Sequence, residues 1–544
     1  MSPARRASIL AAIAIVATGA NAVKPVHLDD AAYLRVAQHI IDDPLRPYDF
    51  VTIWYGAPQP AFQILAPPVL PYWLALCRVL SDEPTVWGWL QLPWLLILVI
   101  SLDRLADRFL GGFRPWWLMA MVFSPVVLPG INFMLDIPAL ALGTASLAAI
   151  LSAVDSGAIR RGMAAGLLLG LAMETKYTGA TFAVAWLVLT PRPLASLRIL
   201  GTGWLIAALF VVAVEIGIAL SAGRSHLWFH VVAILGVPIP LRVDRLLGIG
   251  THFALALPAA TIFAWTALLR GRFPKRLRWL AVVGVVALAS WLVRSGVAYM
   301  RSVDGVTDPV ALDPMATTMI VGGFIGLVVP FVAGLRGGGQ NGRLVLWLLV
   351  ELGFSLFASP FPAMRRALGP TVSAWLLLWP GDDERPDAGW RRAAIVLSIG
   401  IALLYWRVDF TAAVAQREGA VAVAERYAPA DGDLWFVGHW GWSYYAERQG
   451  MRVVMPGQTT LKAGDRLVIP DGILGQRVAT NQLDPVERFV WPDSADGLPP
   501  PPRWGLGEYY FGSIPFSIAT GHPFAATIYE ARVDTDLDYL SPDR

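Results

Sequence analysis

"ILAPPVLPYWLALCRVL", residues 64–80, is the stretch on which the topology of this chain turns. It is apolar and close to the roughly 20 residues that a helix needs to cross a bilayer. Pro67, Pro68 and Pro71 cluster at its start, where a helix tolerates proline. It can be read as a span or as a helix lying along the membrane surface. The basic residues decide, because cytoplasmic loops collect Lys and Arg. If 64–80 does not span, Arg104/Arg108/Arg114, Arg160/Arg161, Arg192/Arg198, Arg270/Arg272/Lys275/Arg276/Arg278, Arg336/Arg343 and Arg385/Arg391/Arg392 all fall on the side of Arg5 and Arg6. Counting it as a span scatters them to the other side. The segment is therefore taken as an interfacial helix within a long first outer loop, residues 24–84.

The rest of the chain fits that reading. Of 544 residues, 56% are hydrophobic and only 15% are charged, the balance of a membrane protein and not of a soluble domain. The apolar blocks 7–23, 85–105, 115–133, 137–154, 161–175, 176–190, 199–221, 246–269, 279–295, 315–334, 344–360, 365–380 and 392–407 predict a polytopic α-helical membrane protein of about thirteen transmembrane helices. The net charge of +3 resides mostly in loops, so the basic balance reflects topology and no nucleic-acid partner is expected. A single cysteine, Cys77, excludes an intrachain disulfide and any multi-cysteine metal site. The opening "MSPARRASILAAIAIVATGANA" has the form of a signal peptide, but it serves equally as an uncleaved first helix with its basic end inside. It is read here as an anchor.

Composition changes after about residue 408. "DGDLWFVGHWGWSYYAERQGMRVVMPG" reads as strand, aromatic turn, helix and strand, and "DRLVIPDG" and "VERFVWP" read as further strands. With "LPPPPRW" as a rigid break, 408–544 is expected to be a small α/β domain on the outer, periplasmic side, and 1–407 the transmembrane domain. Trp440, Trp442, Tyr444 and Tyr445 could stack on a sugar or rest on lipid headgroups. Aromatics so placed more often form a small domain's core.

Chemistry concentrates where apolar segments end on the outer side. "HLDDAAYLRVAQHI", 27–40, puts Asp29 and Asp30 directly after the first span, with Tyr33 following at helical spacing. "NFMLDIPALAL" puts Asp136 at the outer end of the third span, and "GLAMETKYTGATF" puts Glu174 and Lys176 at the outer end of the fifth. Each has an ordinary reading: a helix cap for the acids, a snorkelling terminus for Lys176. Clustered carboxylates at a membrane surface are costly, however, unless they pair, bind a cation or move protons. "SPFPAMRRALG" adds Arg365 and Arg366 in a short outer loop, as interfacial anchors or as phosphate ligands. His27 could join Asp29 on a metal, although a lone His at a loop start is usually only exposed.

Taken in order, "HLDDAAY", "PPVLPYWLAL", "MLDIPALAL" and "GLAMETKYTG" resemble the GT-C glycosyltransferases. More narrowly they are similar to the protein O-mannosyltransferase-like branch, which includes the bacterial lipid A aminoarabinose and lipopolysaccharide core galacturonosyl transferases. By motif the resemblance covers about residues 7–190, and beyond them only the architecture matches. It implies a GT-C fold and an active site at the outer face of the bacterial inner membrane. The implied donor is a polyprenyl-phosphate sugar, whose anomeric carbon an acceptor attacks with inversion. It implies Asp29 as general base and Asp136 as a second acid that orients the acceptor or holds a divalent metal ion together with Asp29. Asp30, Tyr33, Lys176, Arg365 and Arg366 are then candidate substrate-binding residues. The physics is compatible: a carboxylate takes the acceptor proton and cations stabilise the departing phosphate. Two departures stand out. Asp29-Asp30 replaces the frequent Asp-Glu, and Ala66 stands where a cation often precedes the paired prolines.

Two other functions remain open from sequence. The carboxylates could relay protons or cations in a transporter or flippase, which would place them nearer mid-membrane. A non-catalytic assembly role would act through the outer domain. Membrane lipids are expected partners, and the sequence does not identify the acceptor.

Overall fold

The computed structural model describes residues 1–54, 56–236, 243–269, 276, 279, 283–284, 287, 298–303, 306–311, 314–357, 359, 363–379, 388–427, 432–492, 503–505, 510, 517–519 and 524–539. The expected span 279–295 falls almost wholly outside them, as do Arg270, Arg272, Lys275, Arg278, Arg385 and the proline run 499–502.

Among the described residues six helices are long and apolar enough to cross a membrane: Pro3–Ala22, Pro84–Leu110, Asp136–Ser156, Leu197–Ala222, Thr317–Gly337 and Gly389–Tyr427. A seventh crossing is possible through Gly248–Ala256 and Pro258–Leu268, which meet at 97°. Pro258 accounts for the bend, since proline removes a hydrogen bond and clashes with the preceding turn. The described helices thus fall short of about thirteen spans of crossing length. The segments 115–133, 176–190 and 365–380 yield only the α-helices Pro115–Val122, Thr181–Leu189 and Leu368–Leu378. Each is flanked by a 3-10 turn, respectively Leu128–Gly130, Tyr177–Ala180 and Met364–Ala367. Apolar composition alone did not reveal those breaks. Segment 64–80 folds as the 12-residue helix Val69–Leu80, beginning directly after Pro67 and Pro68. At 1.5 Å per residue it is about 18 Å long, too short to cross.

Helices in lipid gain little from the hydrophobic effect and pack by close approach. Gly162, Gly166 and Gly170 form such a stripe on Ile159–Thr175, facing Leu197–Ala222. A Cβ on Gly166 would lie 2.2 Å from the Gly203 carbonyl oxygen, and one on Gly170 would lie 2.9 Å from Phe210 Cδ1. The two ends of the bundle differ in charge chemistry. At one end Arg6 pairs with Asp103 at 2.8 Å and Asp107 at 3.4 Å, and Arg108 pairs with Asp155. At the other end of the helix Pro3–Ala22 the chain enters the segment that carries Lys24, His27, Asp29 and Asp30.

The helix Ala388–Tyr427 runs 40 residues without a break. It therefore passes through position 408, where the change of composition suggested a boundary, and the sheet region begins only at Leu434. That region holds a five-stranded sheet in the spatial order Arg452–Val453, Leu434–Phe436, Arg466–Pro470, Phe524–Glu530, Asp484–Trp491. Leu434–Phe436 runs parallel to both of its neighbours, and the helix Trp440–Arg448 makes the crossover. Phe524–Glu530 is antiparallel to both of its own neighbours. Trp442 is buried, stacks on Phe524 with centroids 4.9 Å apart, and donates to the Val437 carbonyl at 2.9 Å. It is core, as the ordinary reading of that aromatic cluster had it.

Replacing Gly166 by Ile should force the two helices apart. The expected cost is about 1–3 kcal/mol, read as a lower melting temperature of the detergent-solubilised protein. Gly201, whose added Cβ would meet nothing within 4 Å, should accept Ala with little change.

Candidate active site

The segment between the first helix and Asp29 is held by buried polar contacts. Lys24 Nζ donates to Asp409 Oδ2 and to the Pro129 carbonyl, both at 2.8 Å. His27 Nε2 lies 3.3 Å from Asp409 Oδ1. The Tyr445 hydroxyl accepts the Val26 N–H at 2.9 Å. Leu28 then adopts φ +49°, a left-handed conformation that a branched residue holds only when its surroundings impose it.

Two adjacent acids follow that turn. Asp30 is buried, and its Oδ2 accepts the His27 N–H at 3.1 Å. Burial, opposed by the charge of Lys24, pushes its carboxyl up to about 8. Asp30 faces the interior and, like Asp29, is not among the residues that line the cleft around Asp136. Asp29 occupies the N-cap position of the helix Asp30–Asp42, but its side chain makes no capping hydrogen bond. Its Oδ2 instead meets Arg365 Nη1 at 3.3 Å.

The same Arg365 Nη1 lies 3.5 Å from Asp136 Oδ2, and the other Asp136 oxygen pairs with Lys176 Nζ. Asp136 opens the helix Asp136–Ser156, where the helix dipole favours a carboxylate. Lys176 closes Ile159–Thr175, and Arg365 belongs to the turn Met364–Ala367. Arg365 Nε donates to the Tyr510 carbonyl at 3.2 Å, and the Tyr510 hydroxyl donates to Asp409 at 3.0–3.1 Å. Asp136, Lys176, Arg365 and Arg366 line one cleft, together with Thr178, Glu351 and Ser355. Tyr33 is buried in the field of Asp29, Arg365 and Asp136, and burial raises its phenol well above the usual range.

Of the residues singled out from sequence, Asp29, Asp136, Lys176 and Arg365 come into direct contact, and Arg366 joins them in the cleft. His27 turns to Asp409 and away from Asp29. Glu174 is buried, with both carboxylate oxygens lacking a hydrogen-bond partner among the described residues. Ala66 is buried, and its carbonyl accepts the Tyr48 hydroxyl at 2.6 Å. The cations of the cleft come from Lys176, Arg365 and Arg366. Sequence reasoning missed Lys24, Asp409 and Tyr510. An acid inside an apolar helix was the available signal for Asp409. Tyr510 carried none.

The donor set does not fit a divalent ion held by Asp29 and Asp136. Both Asp136 oxygens and Asp29 Oδ2 already face Arg365 or Lys176, and among the described residues no three His, Cys, Asp or Glu side chains converge as metal ligands.

The raised carboxyl of Asp30 sets a pH dependence. Between about pH 4 and pH 8 the folded protein keeps this proton while the unfolded chain loses it, so stability falls as pH rises through that window. Asp30→Asn should flatten the fall of melting temperature between pH 5 and pH 8. A variant as steep as the wild type would assign the slope to other groups.

No family model matches the chain, and no curated protein matches it by sequence. Among solved structures it is similar to the Archaeoglobus fulgidus oligosaccharyltransferase tethered with an acceptor peptide containing the NVT sequon. The identity is 12% and the TM-score 0.42, over 83% of this chain and 64% of that one. It is also similar to the arabinosyltransferase EmbB from Mycobacterium smegmatis, at 15% identity and a TM-score of 0.34, over 85% of this chain and 46% of that one. The chain thus spans less than two thirds of the length of either neighbour.

Proposed function

We propose that this protein is an inverting glycosyltransferase of the inner membrane, GT-C in type. It would move a sugar from a polyprenyl-phosphate donor to an acceptor at the outer, periplasmic face. One observation carries the reading: a single guanidinium bridges Asp29 and Asp136 and lines one cleft with Asp136, Lys176 and Arg366. By formal charge Arg365, Arg366 and Lys176 balance Asp29, Asp136 and Glu351, and the two guanidiniums still offer the planar donor forks that suit a phosphate. The distribution of the basic pairs supports the outer face, since Arg6 and Arg108 pair at the opposite end of the bundle.

The chemistry follows from the accessibility of the two acids. The Asp29 side chain is 17% exposed and that of Asp136 only 5%. Asp136 has an oxygen on each of two cations and serves to hold them. Asp29 has one contact with Arg365 and is the acid an acceptor can reach. As the acceptor oxygen bonds to the anomeric carbon, its proton passes to an Asp29 oxygen. The bond from that carbon to the phosphate oxygen breaks, and its electron pair leaves with the phosphate. The transition state is oxocarbenium-like. Arg365, Arg366 and Lys176 face the growing negative charge on the phosphate, where fixed cations act most strongly. Arg365 couples the two halves, since it touches the base and lines the cleft.

Asp29→Asn should lower transfer by about 10²–10⁴-fold, the usual contribution of a general base, while the donor lipid still binds. Mass spectrometry of lipids co-purifying with wild type and variant reads both quantities. A sugar-bearing phosphopolyprenyl lipid enriched in the variant is the expected result. Undiminished transfer by Asp29→Asn would refute the role of Asp29, and absence of any such lipid from both proteins would refute the donor.

A further inference from the structure

A second cleft, of about 340 Å³, lies between the helix Asp30–Asp42 and the C-terminal region. It falls in the size range of small-ligand sites, which favour such junctions between structural units. One wall carries Gln38, His39 and Asp42 from the last turns of the helix that Asp29 precedes. His439 and the edge of the sheet form the other, and the segment 50–53, with Phe50 and Thr52, also lines the cleft. The ion pair Arg35–Glu447, at 2.7 Å, joins the two walls.

Two features mark this cleft as built to receive something. The Nε2 atoms of His39 and His439 are buried without a hydrogen-bond partner among the described residues. Native proteins rarely leave buried polar atoms so, because each costs its desolvation. His439 also sits between Gly438 at φ +115° and Trp440 at φ +61°. A tryptophan in the left-handed region is uncommon, and such strain collects at ligand sites.

The lining selects the class of ligand. Arg35, the cation of the lining, is already paired with Glu447, so an anion finds no uncompensated charge. A hydrocarbon would leave both imidazole Nε2 atoms unsatisfied. Burial pulls His439 down to about 3, so at neutral pH its ring is uncharged and offers one donor and one acceptor. Hydroxyl groups offer the same pair. Phe50, with its ring 4.8 Å from that of His39, adds an apolar face for the C–H side of a sugar ring. The helix rise puts Gln38 to Asp42 roughly 13–20 Å from Asp29, farther than one sugar reaches.

We infer that this cleft binds a neutral glycan and holds the remote sugar units of an oligosaccharide acceptor whose growing end lies at Asp29. The inference rests on the glycosyl-transfer reading for its role, but not for the binding itself. The test uses the full-length protein in detergent on an array of short neutral oligosaccharides. The best binder is then titrated against His439→Phe and Gln38→Ala. Capture of a neutral oligosaccharide is expected, about tenfold weaker in either variant. Gln38 is half-buried on a helix surface, so Gln38→Ala keeps the test alive if His439→Phe does not fold. Failure to capture any neutral glycan, or affinity unaffected by the variants that fold, overturns the inference. So does capture of peptides in place of glycans. If glycans bind here while no phosphopolyprenyl lipid co-purifies, the transfer reading fails and the glycan site stands. If the lipid is present and no glycan binds, the cleft inference fails alone.

Discussion

Arg365 is the group on which the site depends. Two carboxylates close together in a partly buried place repel each other unless positive charge lies beside them. Arg365 supplies that charge, with Asp29 on one side and Asp136 on the other. Its planar fork of donors allows this, whereas a lysine would act as a point charge. Lys176 completes the compensation from the far side of Asp136. The arrangement keeps one carboxylate fully engaged and leaves the other partly accessible. Two chemically identical side chains thereby acquire different roles.

The position of Arg365 is in turn inherited from a buried knot around Asp409. That acid lies in the helix Ala388–Tyr427 and gathers Lys24, His27 and the Tyr510 hydroxyl. A buried ion pair adds little net stability, but removing one partner strands the other at high cost. The knot is therefore better understood as a device for register than as a source of stability. Lys24 and His27 fix the approach to Asp29 through the strained turn at Leu28, and the Tyr510 carbonyl fixes Arg365. The C-terminal region thus contributes directly to the geometry of a site whose acids come from the first third of the chain. The proposed glycan cleft, again between the helix Asp30–Asp42 and the C-terminal region, draws on the same junction.

Local features were legible in the sequence because a few consecutive residues encode them. The apolar blocks announced the long helices, alternation announced the strands Arg466–Pro470 and Asp484–Trp491, and acids at the ends of apolar runs pointed to Asp29 and Asp136. Shortened helices and the 97° bend were less visible, since breaks by proline and glycine compete with tertiary packing. Only the folded chain decided which charges meet. Asp29 and Arg365 are 336 residues apart, and Asp136 and Arg365 are 229 apart. Asp29 and Asp30 have nearly the same local sequence, yet one meets Arg365 and the other is buried against the His27 N–H. Both follow a left-handed backbone turn held by contacts from a helix almost four hundred residues later, and distant packing decides which of them meets Arg365. Periodicity and propensity act over a turn or two of helix, whereas ion pairing across a bundle depends on how distant helices pack.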